Sequence, residues 1–458
     1  MKSFLSFILF SSLSNGFIDP KAFQSSNIYL EEEIINQTIN NQFQKATSAI
    51  SDEVIKNILE DKDNRVSDEF HIHPYFENNV RFWFSIYTQF SSKQVIIHDK
   101  EDLSIVYNTL DFSELHNSNV NRYAKAKLQA DLSLEYSQKV KSILSNLHKN
   151  KSELSEEEKG ILIAIEKSVK VPDSARAKKK LFRRLSQNIR TQTGQRDMVF
   201  NAILRSLPYL PFLERQLKNF DIPKELLSIS FIESSFNYKA ESYAGAKGAW
   251  QFMPSTSRYF MPKITRSVDY RSNVVISSLA AFHLLKQNKQ IVKRWDLAIP
   301  AYNFGPTKIQ RFRMKYKGTT TLPIFIQENE DKAIGFASTN YYSEFIALSH
   351  ALAYKDKIYN IDGYKEDKNK FNVDNIHVYV TKCTFNPRTF YRLLKRSSPN
   401  TNLLNTHFKN TRYNYKNRPL IVSDVNLTSR KYYKLSDKEL KAKSPKYYYT
   451  FAKKSKCR

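Results

Sequence analysis

The sequence predicts a mainly α-helical protein with a small α+β module near its end. Apolar residues recur at helical spacing between residues 226 and 236, and residues 120–205 have a mainly helical pattern broken by charged segments. Beyond residue 370, two strand-like runs flank a helical segment and an Asn-rich stretch. The length of 458 residues is enough for two to four domains.

The start of the chain predicts a short secretory signal followed by a leader. Residues 1–16 hold one lysine, an apolar run and then small polar residues, and the run is too short to span a bilayer. Residues 17–66 are rich in Asn, Gln and acidic side chains, which favours a poorly ordered or loosely helical linker. Because no cysteine follows the signal, we expect an exported protein without a lipid anchor.

The rest of the chain divides into four regions. Residues 67–205 are predicted to form a mainly helical N-terminal region, and residues 206–357 hold the motifs described below. Residues 371–426 are predicted to form the small α+β module. Residues 427–458 form a basic, tyrosine-rich tail, which we expect either to lie on an anionic polymer or to be disordered.

The chain is strongly basic. It has 72 Lys and Arg against 45 Asp and Glu, a formal net charge of +27, and such a surplus attracts polyanions. The basic residues are spread along the chain, and no finger, basic-zipper or RNA-recognition pattern appears, which argues against a nucleic acid partner.

Few residues suit a metal or cofactor. Cys383 and Cys457 are the only cysteines; they allow one pairing but make neither a disulfide framework nor a metal site. His71 and His73 have no further ligands nearby in sequence, and a surface pair is the favoured interpretation. We expect no metal and no cofactor.

Glu233 is the first candidate catalytic residue. It shares one helical stripe with Leu226, Ile229 and Phe236. Burial of a carboxyl on such a stripe raises its pKa, and a carboxyl that keeps its proton near neutral pH can act as a general acid. The alternative is a structural Glu paired with a nearby Lys or Arg.

Two further motifs follow Glu233 in the chain. Gly248–Gln251 (GAWQ) predicts a tight turn, and Trp250 with Gln251 offers the apolar face and polar edge that suit a sugar. The alternative is a core Trp250 with an exposed Gln251. By itself, Ala301–Asn303 (AYN) is as weak a signal for sugar binding as GAWQ, because Tyr and Asn before a glycine also end helices. The specific signal is the order, with Gln251 eighteen residues after Glu233 and Tyr302 fifty-one further on.

In this order, Glu233–Ser234, GAWQ and AYN resemble the three motifs of the lysozyme-like SLT catalytic domain of lytic murein transglycosylases, glycoside hydrolase family 23. The resemblance is good over residues 190–357 and faint in the flanks. It implies a lysozyme-like fold for residues 206–357 and peptidoglycan glycan strands as the substrate. From the signal-like start and the basic surplus we expect a location in the periplasm or cell envelope, with peripheral contact to an anionic wall or membrane.

The resemblance also implies roles for single residues. Glu233 would be the acid and base, and the substrate-binding set would be Ser234, Gln251, Tyr302, Asn303 and Tyr342. The last segment matches weakly, since Ser338 stands where the family usually has Glu and Tyr342 falls at its tyrosine. The family cleaves the MurNAc–GlcNAc β-1,4 bond without water and leaves 1,6-anhydro-MurNAc ends.

Two rival functions remain open from the sequence. A hydrolytic muramidase of the same fold would need a second carboxylate to activate water, and Glu241 and Asp269 are candidates. A non-catalytic peptidoglycan-binding protein would keep the groove but not cut.

Overall fold

Helices dominate this computed structural model, which describes residues 50–149, 153–315, 321–327, 335–359, 375–398, 400–409, 419–425, 427 and 431–452. The mainly helical prediction is confirmed. In these ranges no helix has the length and apolar character that crossing a bilayer requires. The predicted signal, residues 1–16, and Cys457 lie outside the described residues, whereas Cys383 is disulfide-bonded.

The N-terminal region combines helices with a small sheet. The helices are α1 (Asp52–Leu59), α2 (Glu77–Thr88), α3 (Ser113–Asn117), α4 (Arg122–Asn146), α5 (Glu156–Glu166), α6 (Ala175–Gln187) and α7 (Arg196–Ser206). The antiparallel strands are β1 (Gln94–Asp99), β2 (Val106–Asp111) and β3 (Ile189–Thr193), in the order β2-β1-β3. The sequence did not predict this sheet. In β1, Ile96 belongs to one hydrophobic core and Val95 and Ile97 to another, so the strand is buried on both faces and shows no polar alternation.

The end of the predicted leader is part of the folded protein. Within residues 17–66, α1 buries Ile55 and Ile58 in the main core. The Asp61 carboxylate that follows is buried and accepts a 2.7 Å hydrogen bond from the hydroxyl of Tyr354. The prediction of a loose linker is therefore wrong for residues 50–66, because helical spacing of the apolar residues in α1 gives them a face to bury.

In the middle of the chain, helices are the regular elements of the residues that the structure describes. Its helices are α8 (Leu210–Phe220), α9 (Ser228–Ser234), α10 (Pro254–Phe260), α11 (Val274–Val292), α12 (Trp295–Phe304), α13 (Pro306–Lys315), α14 (Leu322–Gln327), α15 (Phe336–Ala353) and α16 (Lys355–Ile358). The first half of α11 is buried on all sides, as expected for a central helix. Helix α15 packs against α9 and α12 and also against the N-terminal α2. This arrangement joins the N-terminal region to the helices that carry the motifs.

The C-terminal module has the predicted α+β character. It contains β4 (His377–Thr381), α17 (Pro387–Ser397), α18 (Thr401–Leu404), β5 (Ile421–Asp424), β6 (Tyr432–Lys434) and α19 (Asp437–Ala442). The strands form an antiparallel sheet in the order β5-β4-β6. Its apolar residues join the same core that begins at α1.

The predicted free tail, residues 427–458, is instead part of this module where the structure describes it. Strand β6 pairs with β4, and Leu440 and Tyr448 are buried. Helix α19 begins with a capping box, in which Ser436 and Glu439 each bond the other's backbone N–H. This motif favours a helix start and explains why a basic segment still folds.

Candidate active site

Glu233 lies in the last turn of the seven-residue helix α9. The helix ends because Ser235 and Phe236 take left-handed backbone conformations, with φ of 52° and 57°. The Glu233 side chain is only 2% exposed, and the neighbouring Leu226 and Ile229 are fully buried. The predicted apolar stripe therefore faces the core, and the carboxyl sits inside it.

The surroundings of Glu233 favour its protonated form. Burial raises the pKa of Glu233 to about 7, although a hydrogen bond from Tyr341 acts in the opposite direction. Its position at the carboxyl end of α9 adds to the cost of a negative charge, because that end of a helix is itself negative. In the part of the chain that the structure describes, no Lys or Arg pairs with Glu233. A carboxyl of this kind can both give and take a proton near neutral pH.

Tyr341, one residue before the predicted Tyr342, is the tyrosine that contacts Glu233. Its hydroxyl donates a 2.7 Å hydrogen bond to Glu233 Oε1. The Tyr342 ring packs instead against Phe76 and Phe345, and only 6% of the residue is exposed. The predicted substrate-binding role of Tyr342 is thus not supported, because consecutive residues on a helix point about 100° apart.

Replacement of Tyr341 by Phe is expected to raise the pKa of Glu233 above its value of about 7, because the lost hydrogen bond favours the ionised carboxylate. Carbon-13 NMR titration of the Glu carboxyls measures this, with the Glu233 signal assigned by its loss in Glu233→Gln. Tyr342→Phe is the matched control and should leave the midpoint unchanged. A lowered midpoint in Tyr341→Phe would contradict the assignment.

The GAWQ motif forms a tight loop against α9. Gly248 has φ of +83° and Gln251 has φ of 45°, so both take left-handed conformations. The Gln251 side-chain nitrogen donates to the backbone carbonyls of Gly248 (3.0 Å) and Ala240 (3.3 Å). Trp250 is fully buried, and its indole N–H donates to the Ser278 hydroxyl at 2.7 Å. Trp250 is therefore a core residue, the alternative raised from the sequence, rather than a face open to sugar.

Ser234 joins the helix that carries Glu233 to the GAWQ loop. Its hydroxyl donates to the Ala249 carbonyl at 2.9 Å and accepts from the Asn237 N–H at 2.9 Å. The residue is only 3% exposed. This corrects the expectation that Ser234 binds substrate: it is buried, and its hydroxyl holds the loop.

The AYN motif approaches the same place from α12. The Tyr302 hydroxyl donates to the Trp250 carbonyl at 2.8 Å, and burial together with the nearby Glu233 charge raises the pKa of Tyr302. Asn303 is partly exposed, and its side-chain oxygen accepts from the Ser338 hydroxyl at 3.2 Å. The fold thus brings Glu233, the GAWQ loop, the AYN motif and the start of α15 together.

The other acids near the motifs are each paired with a basic residue. The closest nitrogen–oxygen distances are 2.6 Å for Glu241–Lys247, 2.9 Å for Asp269–Arg271 and 2.9 Å for Asp296–Arg294. Burial by itself raises the pKa of Asp269, but Arg271 and Lys409 outweigh it and hold that pKa below its usual value. Asp269 also anchors Arg271, whose guanidinium donates to the carbonyls of Gly245 and Phe252. Asp269 therefore stabilises the GAWQ loop through Arg271.

Sequence reasoning missed a second carboxyl beside Glu233. Glu344 lies on α15, three residues after Tyr341. Burial raises the pKa of Glu344 to about 8, and the charge of Glu233 adds to this shift. The available signal was an isolated acid in a helix that has no other Asp, Glu, Lys or Arg. Within the described residues, no cluster of His, Cys, Asp or Glu is arranged to hold a metal ion.

Comparison with known proteins identifies the class of this domain. Residues 211–323 match the family described as the transglycosylase SLT domain. The chain therefore contains a transglycosylase SLT domain, and both the predicted resemblance and the predicted lysozyme-like fold are confirmed.

Two relatives are named membrane-bound lytic murein transglycosylase D, one from Escherichia coli (strain K12) and one from Escherichia coli O6:H1 (strain CFT073). Each is 35% identical to this chain over 117 residues, which cover 25% of the chain and 26% of the relative. The chain thus matches about a quarter of the length of these relatives.

Proposed function

We propose that this protein is a peptidoglycan lytic transglycosylase that cleaves the MurNAc–GlcNAc β-1,4 bond and leaves 1,6-anhydro-MurNAc ends. The observation that carries the proposal is the Glu233 carboxyl, which is buried and has a pKa of about 7. It accepts a hydrogen bond from a tyrosine and has no Lys or Arg partner among the described residues. The transglycosylase SLT domain around it supports the same reaction class.

One carboxyl is sufficient for the proposed reaction. The protonated Glu233 gives its proton to the oxygen that bridges the two sugars, and the bond from that oxygen to C1 of the muramic acid breaks. The resulting Glu233 carboxylate then takes the proton of the muramic acid 6-hydroxyl as its oxygen bonds to C1. The residue ends the cycle protonated, and no water is consumed.

The neighbouring tyrosines suit this double role. The Tyr341 hydroxyl stabilises the carboxylate that exists between the two steps, since it donates to Glu233 Oε1. Burial raises the pKa of Tyr341 well above its usual value, with Glu233 adding to it, so the hydroxyl remains a donor. Asn303 and Gln251 are both partly exposed at the same place, and we assign them to the sugar.

The hydrolytic alternative requires a second carboxylate that is free to activate water. Glu241 and Asp269 are held in ion pairs at 2.6 and 2.9 Å, and Asp269 is 1% exposed. Glu344 has a pKa of about 8 and is mostly protonated at neutral pH, so it is a poor base there. These contacts favour the transglycosylase over the muramidase.

Mass spectrometry of the products released from purified sacculi tests the proposal. Anhydro ends are expected from the wild-type protein and not from Glu233→Gln. Reducing ends in their place would establish a muramidase. The absence of any product, with intact binding, would establish a wall-binding protein.

We also propose that the protein is exported to the cell envelope and is held on the anionic wall by its charge of +27. Binding to sacculi should then weaken steadily as salt rises, because exposed charges are screened over about 8 Å at physiological ionic strength. A pull-down across a salt series measures this, with Glu233→Gln used so that the wall is not digested. Salt-independent binding would mean that the groove alone holds the wall.

A further inference from the structure

One segment of the C-terminal module, residues 404–409, is bonded directly to the SLT domain. We call it the contact segment. Val268 of the domain forms an antiparallel β-bridge with Phe408, and the Asp269 N–H donates to the His407 carbonyl at 2.9 Å. The main chain of the module is therefore joined to the main chain of the domain by hydrogen bonds.

His407 is fully buried in the contact segment and contacts both the domain and the module. Its ring stacks on that of Tyr270, with the ring centres 4.6 Å apart and the planes at 22°. Nδ1 lies 2.9 Å from the side-chain nitrogen of Asn273, and Nε2 lies 3.1 Å from the carbonyl oxygen of Ile421 in the module. Since a carbonyl can only accept, Nε2 carries the proton and donates to it, and Nδ1 accepts from Asn273.

Asn273, the partner of His407 in the SLT domain, is held in one orientation. Its side-chain oxygen accepts from the Ile276 N–H at 2.9 Å and so caps the start of helix α11. Its side-chain nitrogen donates to the Leu404 carbonyl at 2.7 Å as well as to His407. A flipped amide would turn its NH₂ group toward the Ile276 N–H, a donor facing a donor. The contact segment therefore supports the cap of α11.

The residues that the contact segment bonds stand on either side of Arg271, which holds the GAWQ loop. The Arg271 guanidinium donates to the carbonyls of Gly245 (2.6 Å) and Phe252 (3.0 Å), one before and one after the GAWQ residues. Asp269 fixes that guanidinium with two hydrogen bonds of 3.0 and 2.9 Å. Asp269 and Asn273, both bonded to His407, thus flank the residue that anchors the loop.

We propose that His407 is a positioning residue of the active site. It keeps residues 269–273 in place, and through Arg271 it holds the GAWQ loop, which is itself bonded to the helix of Glu233. The C-terminal module is then a working part of the catalytic centre, although His407 lies outside residues 211–323, which match the SLT family. The effect on catalysis rests on the proposed function, but the effect on the loop does not.

Hydrogen exchange of the tryptophan indole N–H groups, followed by nitrogen-15 NMR on the full chain, tests the proposal. The Trp250 indole belongs to the GAWQ loop and donates to Ser278 at 2.7 Å, whereas the Trp83 indole belongs to the N-terminal region and donates to Asn340 at 3.2 Å. In His407→Gln, Trp250 should exchange about tenfold faster relative to Trp83, because the loop opens locally. Equal acceleration at both indoles would reflect a general loss of stability and would overturn the proposal.

His407→Asn is the matched variant. The amide oxygen of Asn stands close to the position of Nδ1, so it can still accept from Asn273, whereas the amide nitrogen of Gln stands close to Nε2 and can still donate to Ile421. Both variants lose the stacking on Tyr270. Trp250 should therefore be better protected in His407→Asn than in His407→Gln. The reverse order, or no difference, would show that the contact with Asn273 does not hold the loop.

Thr406→Val replaces the His407 variants if they do not fold. The Thr406 hydroxyl donates to the Ser272 carbonyl, and valine has nearly the same shape without the hydroxyl. This milder change should speed Trp250 exchange relative to Trp83 by about threefold. An unchanged ratio of the two exchange rates would count against the proposal as decisively as in His407→Gln.

His98→Gln is the control, because His98 is also fully buried but lies in strand β1 of the N-terminal region. It should not speed Trp250 exchange relative to Trp83, and a selective effect there would remove the special role of His407.

Glycan release is the second readout and should fall in the same order, with His407→Gln slower than His407→Asn. Normal release by a His407→Gln protein with a selectively loosened loop would overturn the positioning role in catalysis. Because the exchange measurement needs no substrate, a protein whose Trp250 indole responds as expected but whose wild type releases no glycan would contradict only the proposed function.

Discussion

Glu233→Gln is expected to lower the rate of glycan release by about 10²–10⁴-fold, the usual contribution of general acid–base catalysis. The amide has nearly the same shape as the carboxyl and can accept the hydrogen bond from Tyr341, but it cannot give up a proton. Since Glu233 is 2% exposed and forms no ion pair among the described residues, the substitution leaves no buried charge behind. Product release from sacculi measures the rate, and thermal melting checks that the fold is intact.

Glu241→Gln is the matched control for this experiment. Glu241 carries the same side chain within eight residues of Glu233, but it is exposed and pairs with Lys247 at 2.6 Å. Replacement of Glu241 should leave glycan release within about twofold of wild type, because an exposed ion pair contributes only about 0–1 kcal/mol to stability and the fold should therefore be unchanged. Glycan release by Glu233→Gln at a near wild-type rate would contradict the catalytic role proposed for Glu233. A loss in Glu241→Gln comparable to that in Glu233→Gln would instead support a two-carboxylate hydrolase.

The sequence was sufficient to find Glu233 because two independent constraints met there. A carboxyl on an apolar stripe and the order of three motifs both point to the same residue. The substrate-binding set was less secure, since a motif gives the identity of a residue but not the direction of its side chain. Ser234 illustrates this, because it is buried and its hydroxyl holds the GAWQ loop in place.

Two neighbouring tyrosines explain why the last motif was placed one residue off. Tyr341 and Tyr342 are equally good matches by residue type, and both are buried. Only the packing of α15 against α9 decides which hydroxyl reaches Glu233. No local pattern in the sequence contains that information.

The N-terminal sheet was missed for a different reason. Strand β1 lies between two cores, so its residues form a continuous apolar run that periodicity cannot separate from a buried helix. The tail was misjudged because its basic composition masked the capping box at Ser436, a local signal that the sequence did contain.

Gly248 is a position in the site where an added side chain has no room. It has φ of +83°, and a Cβ placed there would lie 1.8 Å from the carbonyl oxygen of Arg271. That oxygen belongs to backbone next to the buried Asp269–Arg271 pair, so it cannot move as a flexible side chain would. Gly245 has nearly the same φ, +84°, but a Cβ there would meet nothing within 4 Å. Comparing alanine substitutions at the two glycines therefore separates the cost of backbone strain from the cost of steric overlap.

Gly248→Ala is expected to destabilise the protein by about 2–5 kcal/mol, the sum of a left-handed alanine and an overpacked backbone contact. Gly245→Ala should cost only about 1–2 kcal/mol, because it carries the strain without the overlap. Urea denaturation of the two variants and the wild type measures the difference. Since the Gly248 loop also holds α9 through Ser234 and Ala249, any folded Gly248→Ala protein should release glycan more slowly than Gly245→Ala. Equal stabilities for the two variants would show that the Arg271 backbone yields, and that close packing at Gly248 does not fix the loop against the Glu233 helix.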